Sequence, residues 1–247
     1  MGHRVCVIDP WGITSNSDKY SPAIPEEYLA YFNPLDAFDA SDPDIVSDAM
    51  LLADALITDK GSDPFWANEA KGLIQGFILH VVTSPTEATT RTLPRVRDIL
   101  CLPYAGQDAN SDAPPKLKNT LDGIILEMTL SDRVVVRQAA YRFQQKSEKE
   151  RSGVLSTAQA NTHFLDSPKI RESLSHSSLL FKDLKTEKAG VSVYLVLPLD
   201  RLVTFNRWLR LLLSSALIDL TRTPSEADDA PVRIFMDEFA ALQKLDI

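Results

Sequence analysis

The fold is decided by the stretch Gly190-Val-Ser-Val-Tyr-Leu-Val-Leu-Pro198, a continuous run of β-forming residues. A run of this kind is typical of a strand that is buried on both faces of a parallel sheet. Apolar residues at helical spacing follow over 200–221, and a second apolar run at 232–236 predicts the next strand. Because strand–helix–strand units form parallel sheets through right-handed crossovers, we predict an α/β fold.

Upstream of this unit lie one more strand and a long helical region. The run Val5-Cys-Val-Ile-Asp-Pro10 predicts a short buried strand that ends in a turn. A central helix is predicted over 65–82, with Asp63 as its N-cap and Pro64 at its first position. Other helices are predicted over 45–57, 92–102, 115–130 and 131–153.

The helical region is too long for a simple crossover, so we predict that it forms an inserted all-α domain over 61–185. The sheet-based core is then split in two. Residues 1–60 supply its first part with a proline-rich loop, and residues 186–247 continue it to the last strand.

Composition excludes several classes of protein. The chain has 247 residues and a formal net charge of −8, so a uniformly basic nucleic-acid-binding surface is excluded. Its two cysteines, Cys6 and Cys101, are far apart, which argues against a disulfide scaffold or a cysteine zinc site. The longest uncharged apolar stretches are well below the roughly 20 residues of a membrane-spanning helix.

Two acids follow directly at the carboxyl end of the final predicted strand. The stretch Val232-Arg-Ile-Phe-Met-Asp-Glu238 has the form of a Walker B strand. Ligands bind at the carboxyl edge of open parallel sheets, where Asp237 could hold the Mg²⁺ of an ATP complex through water. Glu238 could polarise the attacking water as catalytic base. The alternative is structural, since acids in the first turn of a helix are favoured by the helix dipole.

A phosphate loop should accompany a Walker B strand, with backbone amides and a lysine around the phosphates. The chain contains no Gly-Lys dipeptide. Either the two acids are not catalytic, or the loop lies upstream of Met1 and the chain is a fragment, which is what we expect.

The predicted helix over 131–153 concentrates basic charge. Residues 133–151 contain six basic and two acidic side chains, which gives this stretch a net charge of +4. One side is predicted to be buried, with Val134, Val135, Ala139, Tyr141 and Phe143. The helix is either a solvated amphipathic face with salt bridges or a contact for DNA or an acidic protein. The candidate contact residues are Arg133, Arg137, Arg142, Lys146 and Lys149.

Other candidate residues have simpler interpretations. Phe65 and Trp66 are predicted to pack in the core rather than to form a stacking platform for bases. The four histidines lack metal-ligand spacing with acids or cysteines, so we predict no metal other than Mg²⁺.

Several stretches together resemble the TraG/TraD-type coupling proteins of type IV secretion and conjugation. They occur in the order of that family and span almost the whole chain. The matching stretches are Val5-Cys-Val-Ile-Asp-Pro10, Phe32-Asn-Pro-Leu-Asp36, Asp63-Pro-Phe-Trp-Ala-Asn-Glu-Ala70, Phe164-Leu-Asp-Ser-Pro168, Val193-Tyr-Leu-Val-Leu-Pro198 and Arg233-Ile-Phe-Met-Asp-Glu-Phe-Ala-Ala-Leu242.

The resemblance implies a RecA-like P-loop NTPase core with an inserted all-α domain, in a homo-hexameric ATPase that uses ATP and Mg²⁺. In that family a phosphate loop precedes the equivalent of residue 1, and membrane helices precede that loop. The resemblance therefore implies a membrane-anchored parent protein on the cytoplasmic side of the bacterial inner membrane, of which this chain would be a soluble part. The implied partners are DNA, as a relaxase–DNA complex, and secretion-channel proteins. The alternative is a non-catalytic helical adaptor that binds DNA or proteins.

Overall fold

The computed structural model describes residues 2–16, 22–57, 63–105, 119–224 and 231–237. The chain divides into two compact units. We call residues 38–166 the helical unit, and residues 1–37 with 167–247 the sheet unit. The predicted domain bounds at 60 and 185 stay a prediction.

The described part of the helical unit consists of α-helices and short 3₁₀ turns. The central helix, α2, begins as predicted, because Asp63 accepts a hydrogen bond from the Phe65 amide (2.9 Å) and Pro64 opens the first turn. The six α-helices in the described part of the helical unit are α1 (Ile45–Leu56), α2 (Pro64–Thr83), α3 (Leu93–Leu100), α4 (Leu121–Thr129), α5 (Val134–Gln144) and α6 (Glu148–Thr162).

Glycines allow two helices to pack closely on α2. A Cβ at Gly76 would lie 2.5 Å from the Cβ of Ala139 on α5, which is closer than side-chain carbons approach one another. A Cβ at Gly153 on α6 would lie 2.4 Å from the ring of Trp66. The core of this unit therefore depends on the absence of side chains at these two positions.

The predicted single helix over 131–153 is wrong, because the structure has α5 and α6 in its place. The hydroxyl of Ser147 accepts a hydrogen bond from the Glu150 amide, and the Glu150 carboxylate accepts one from the Ser147 amide (2.9 Å). This capping box starts a new helix at Glu148. The predicted buried side was right at Phe143 but wrong at Val134 and Tyr141, which are exposed, while Val136 and Ala140 are buried in their place.

A buried polar cluster joins α2, α3, α4 and the turn after α2. Arg95 donates two hydrogen bonds to the buried Glu87 carboxylate (2.8 and 2.7 Å). His80 is 2% exposed, and its Nε2 lies 3.9 Å from the Glu127 carboxylate. Burial lowers the pKa of His80, although Glu127 and Glu87 oppose that shift. The neutral imidazole is therefore the form that this core accepts.

In the sheet unit, β1 (Arg4–Ile8) and β2 (Val191–Leu195) pair in parallel, which confirms both predicted strands and their direction. The predicted burial of β2 on both faces is wrong, since Tyr194 is 55% exposed. The register runs from Arg4 opposite Val191 to Ile8 opposite Leu195. Three helices complete the described part of this unit, namely α7 (Pro168–Ser173), α8 (Asp183–Thr186) and α9 (Leu202–Arg222). Trp208 on α9 is fully buried and donates a hydrogen bond to Ser173 (3.2 Å).

The predicted strand over 232–236 is wrong. Residues 231–236 have no regular secondary structure, and Phe235 is 85% exposed. The apolar run has the composition of a strand, but a strand also needs a neighbour that supplies backbone hydrogen bonds. Within the described residues, the sheet contains β1 and β2 and nothing pairs with this run.

Candidate functional site

The acid pair is described only in part. Asp237 lies in a turn and is exposed, and Glu238 lies outside the described residues. An exposed carboxylate can bind a hydrated Mg²⁺, which usually keeps several of its waters. In the part of the chain that the structure describes, no group of three or more His, Cys, Asp or Glu side chains is suited to hold a metal ion.

The carboxyl end of β1 carries an acid that sequence reasoning treated only as part of a turn. Asp9 follows Ile8, and its Oδ2 accepts hydrogen bonds from the amide and the hydroxyl of Thr14 (both 2.7 Å). Its Oδ1 is buried and has no hydrogen-bond partner among the residues that the structure describes. A small cavity opens beside Asp9, with Tyr31, Lys169 and Glu172 among its lining residues. An acid directly after a buried parallel strand was the signal that could have drawn attention to this edge.

Two of the candidate contact residues, Arg142 on α5 and Lys146 just after α5, line a groove within the helical unit. We call the groove between α2 and α5 the basic groove. It is lined by Glu69, Gly72, Leu73, Gln75, Val135, Gln138, Ala139, Arg142, Phe143, Lys146 and Val154.

Glu69 on α2 holds two of the five predicted contact residues. The Arg142 guanidinium donates two hydrogen bonds to the Glu69 carboxylate, and Lys146 Nζ lies 2.6 Å from Glu69 Oε2. Burial raises the pKa of Glu69, but the hydrogen bonds from Arg142 and Lys146 outweigh burial and hold the pKa below its ordinary value. The Glu69 side chain is 9% exposed, whereas that of Arg142 is 59% exposed. The Glu69 carboxylate is therefore buried in the groove, while the Arg142 side chain is exposed to solvent.

The other predicted contact residues lie outside this ion pair. Arg133 donates a hydrogen bond to the backbone carbonyl of Ala40, and Arg137 donates one to that of Ser131 (2.5 Å). Both cations satisfy backbone groups while keeping their charge. Lys149, in the first turn of α6, is exposed.

Phe65 does not pack in the core as predicted. Its side chain is 40% exposed, with Trp66 edge-on to the ring at 5.1 Å between centroids. The Lys146 ammonium lies over the ring, 5.8 Å from its centroid. Phe65 therefore contacts a lining residue of the basic groove, Lys146, without being a lining residue itself.

Among the described residues, no helix combines the length and apolar character needed to cross a bilayer. The family described as Type IV secretory system Conjugative DNA transfer matches residues 18–247. Two Escherichia coli proteins named Conjugal transfer protein TraG are 27% and 29% identical to this chain over 235 residues. The alignments cover 88% and 87% of this chain, and 35% and 34% of the two relatives. The chain thus spans about a third of the length of the curated relatives that it matches.

Proposed function

The chain belongs to the type IV secretory system conjugative DNA transfer family, and we propose that it is part of a coupling ATPase of such a system. In this proposal ATP hydrolysis drives the movement of DNA, or of a relaxase–DNA complex, towards the secretion channel. The observation that carries the proposal is the family match over residues 18–247, which includes the acid pair. A RecA-like core, a homo-hexamer and a location at the inner membrane belong to the same proposal.

Asp237 and Glu238 have distinct roles in this ATPase. Asp237 would hold Mg²⁺ through water, and its exposure and negative charge suit that role. When bound, Mg²⁺ neutralises charge on the nucleotide phosphates. Glu238 would accept a hydrogen bond from the attacking water and orient it towards the terminal phosphate.

The helical unit would supply the contact with the transferred cargo. Its basic residues combine a local positive charge with a net negative chain, which favours a localised contact over general adhesion to nucleic acid. Arg133, Arg137 and Lys149 are the candidate phosphate contacts. Arg142 and Lys146 would contribute once Glu69 no longer neutralises them.

The test is the substitution Glu238→Gln in the intact natural protein that contains this chain. The amide removes the catalytic carboxylate but keeps its size, so we expect ATP turnover to fall by at least about 100-fold, the lower end of general-base contributions, with nucleotide binding retained. Turnover is measured by phosphate release and binding with a fluorescent ATP analogue.

The matched control is Asp246→Asn, which removes an acid from the same terminal stretch and should leave turnover unchanged. Normal turnover in Glu238→Gln would refute the role of Glu238. An intact wild-type protein that hydrolyses no ATP would favour the non-catalytic adaptor instead.

A further inference from the structure

Near the end of α2, one carboxylate oxygen faces two hydroxyls and a histidine ring. Glu127 on α4 accepts, through its Oε1 atom, a hydrogen bond from the Ser84 hydroxyl (2.9 Å) and another from the Thr86 hydroxyl. The Nε2 atom of His80, in the last turn of α2, lies 3.9 Å from the same oxygen, which is too far for a hydrogen bond. Of the three polar groups around this oxygen, the two hydroxyls therefore bind it and the imidazole does not.

The imidazole is buried beside an unbalanced set of charges. His80 is 2% exposed, and within the described residues its Nε2 atom has no hydrogen-bond partner. Three charged groups act on the ring, namely Glu127 on α4, Glu87 in the 3₁₀ turn Pro85–Glu87 and Arg95 on α3. From the described parts of α1, α5 and α6, which also pack on α2, no charged group acts on it. Two acids and one base leave an excess negative charge, which a proton on the ring would cancel.

We propose that His80 and Glu127 form an acid-sensitive switch that controls the turn between α2 and α3. A protonated imidazole donates a charge-assisted hydrogen bond, which is stronger than a bond from a neutral hydroxyl. Because the hydroxyls of Ser84 and Thr86 already occupy Glu127 Oε1, the Nε2–H group of the protonated ring displaces at least one of them. Protonation therefore transfers Glu127 from the turn to the end of α2.

Ser84 connects this carboxylate to the conformation of the turn. Its hydroxyl accepts a hydrogen bond from the Thr86 amide (3.3 Å) and so caps the 3₁₀ turn. When Glu127 moves to the imidazole, the hydroxyls of Ser84 and Thr86 lose the acceptor that fixes them on α4. Glu87 stays in place, because Arg95 donates two hydrogen bonds to its carboxylate. The change is therefore confined to the start of the turn.

The pH at which the switch operates follows from the burial of the ring. Burial lowers the pKa of His80 below its ordinary value of 6.5, and the two nearby acids oppose this shift without cancelling it. The folded chain therefore takes up the proton only below that pH. At neutral pH the turn is held on α4, and in acid it is released.

The first experiment follows the ring and the turn together by NMR of the isotopically labelled 247-residue chain. The pH is varied from about 8 to about 5, the interval in which histidine titrates. The His80 ring signal is identified by its loss in His80→Gln, and we expect its midpoint to lie below the ordinary value. The Thr86 amide signal should shift with the same midpoint. This response should be absent in His80→Gln and retained in the control His176→Gln, because His176 is exposed.

Two further variants separate the switch from a general effect of burial. Thr86→Val removes one hydroxyl that occupies Glu127, so protonated His80 meets less competition and its pKa should rise towards the ordinary value. Glu127→Gln removes the charge that favours the imidazolium, so the pKa of His80 should fall further and the Thr86 amide should lose its response. Thr129→Val is the matched control for Thr86→Val, because the Thr129 hydroxyl bonds to the Leu126 carbonyl on α4.

The proposal is refuted if the His80 ring titrates at or above its ordinary pKa, or if the wild-type Thr86 amide shows no shift with that midpoint. It is also refuted if Thr86→Val and Thr129→Val change the His80 midpoint equally. If His80→Gln fails to fold, Glu127→Gln provides the same comparison, since the Glu127 side chain is 37% exposed and tolerates a neutral replacement better. None of these measurements involves ATP or DNA, so their outcome is independent of the proposed function.

Discussion

At the scale of single residues, the packing of the helical unit depends on positions that carry no side chain. Gly72 and Gly76 lie one turn apart on α2, yet their surroundings differ. Among the described residues, a Cβ at position 72 would meet only the Arg142 guanidinium, at an ordinary contact distance of 3.7 Å, whereas one at position 76 would clash with Ala139 at 2.5 Å. Alanine substitutions at these two glycines should therefore change the free energy of unfolding in opposite directions.

We predict that Gly76→Ala lowers the free energy of unfolding by about 1–3 kcal/mol, the usual cost of overpacking a core. Gly72→Ala is the matched variant and should raise it by up to about 1 kcal/mol, because alanine favours the helix. Urea unfolding followed by circular dichroism measures both. Equal effects of the two substitutions would contradict the close approach of α2 and α5.

At the scale of elements, the break between α5 and α6 determines where the basic side chains point. In a continuous helix, the directions of all six basic side chains between residues 133 and 151 would be fixed by the helical period. The capping box of Ser147 and Glu150 instead starts a second helix, which places Lys149 in the first turn of α6 while Arg142 and Lys146 stay with α2. The sequence Ser147-Glu-Lys-Glu150 contains the capping-box pattern that indicates a new helix start. The helical period of the apolar residues does not reveal this break.

Ser147→Ala removes the hydroxyl that accepts the Glu150 amide, so we expect a loss of about 1 kcal/mol in the free energy of unfolding. Ser152→Ala serves as its control, because Ser152 is an exposed residue inside α6 and alanine is at least as favourable there. Chemical denaturation measures the free energy of unfolding of both variants. A stability loss in Ser152→Ala as large as that in Ser147→Ala would argue against a specific role of the cap.

At the scale of the whole molecule, buried titratable groups make stability depend on pH. The pKa of His80 is lowered by burial, so below its ordinary value of about 6.5 the unfolded chain binds a proton that the folded chain does not. Burial raises the pKa values of Glu69 and Glu87, but hydrogen bonds from their basic partners outweigh burial, so both pKa values are lowered overall. The stability that these two carboxylates contribute is therefore lost only at lower pH, below the ordinary pKa of Glu. All three groups destabilise the folded chain as pH falls.

We predict that the free energy of unfolding falls between pH 6.5 and 5, with a slope of at most about 1.4 kcal/mol per pH unit from His80. His80→Gln stays neutral and should flatten the curve in that interval while leaving the loss below it. His176→Gln is the control, because His176 is exposed. Thermal unfolding across the pH series measures the effect, and an unchanged slope in His80→Gln would exclude His80 as its source.

Local sequence determined the two paired strands of this protein and the start of its central helix. The strands at 4–8 and 191–195 and the cap at Asp63 were predictable because β-formers, helical period and capping chemistry act over a few residues. Family membership was also readable, since motifs in series carry it.

Only the tertiary structure decided which groups meet. Glu69 and Arg142 are 73 residues apart in sequence, and no local pattern predicts that one neutralises the other. The exposure of Phe65 likewise depends on what packs around the start of α2. The run 232–236 has the composition of a strand without being one, because strand pairing requires a partner from elsewhere in the chain. Composition is local, whereas pairing, burial and charge neutralisation are properties of contacts between distant residues.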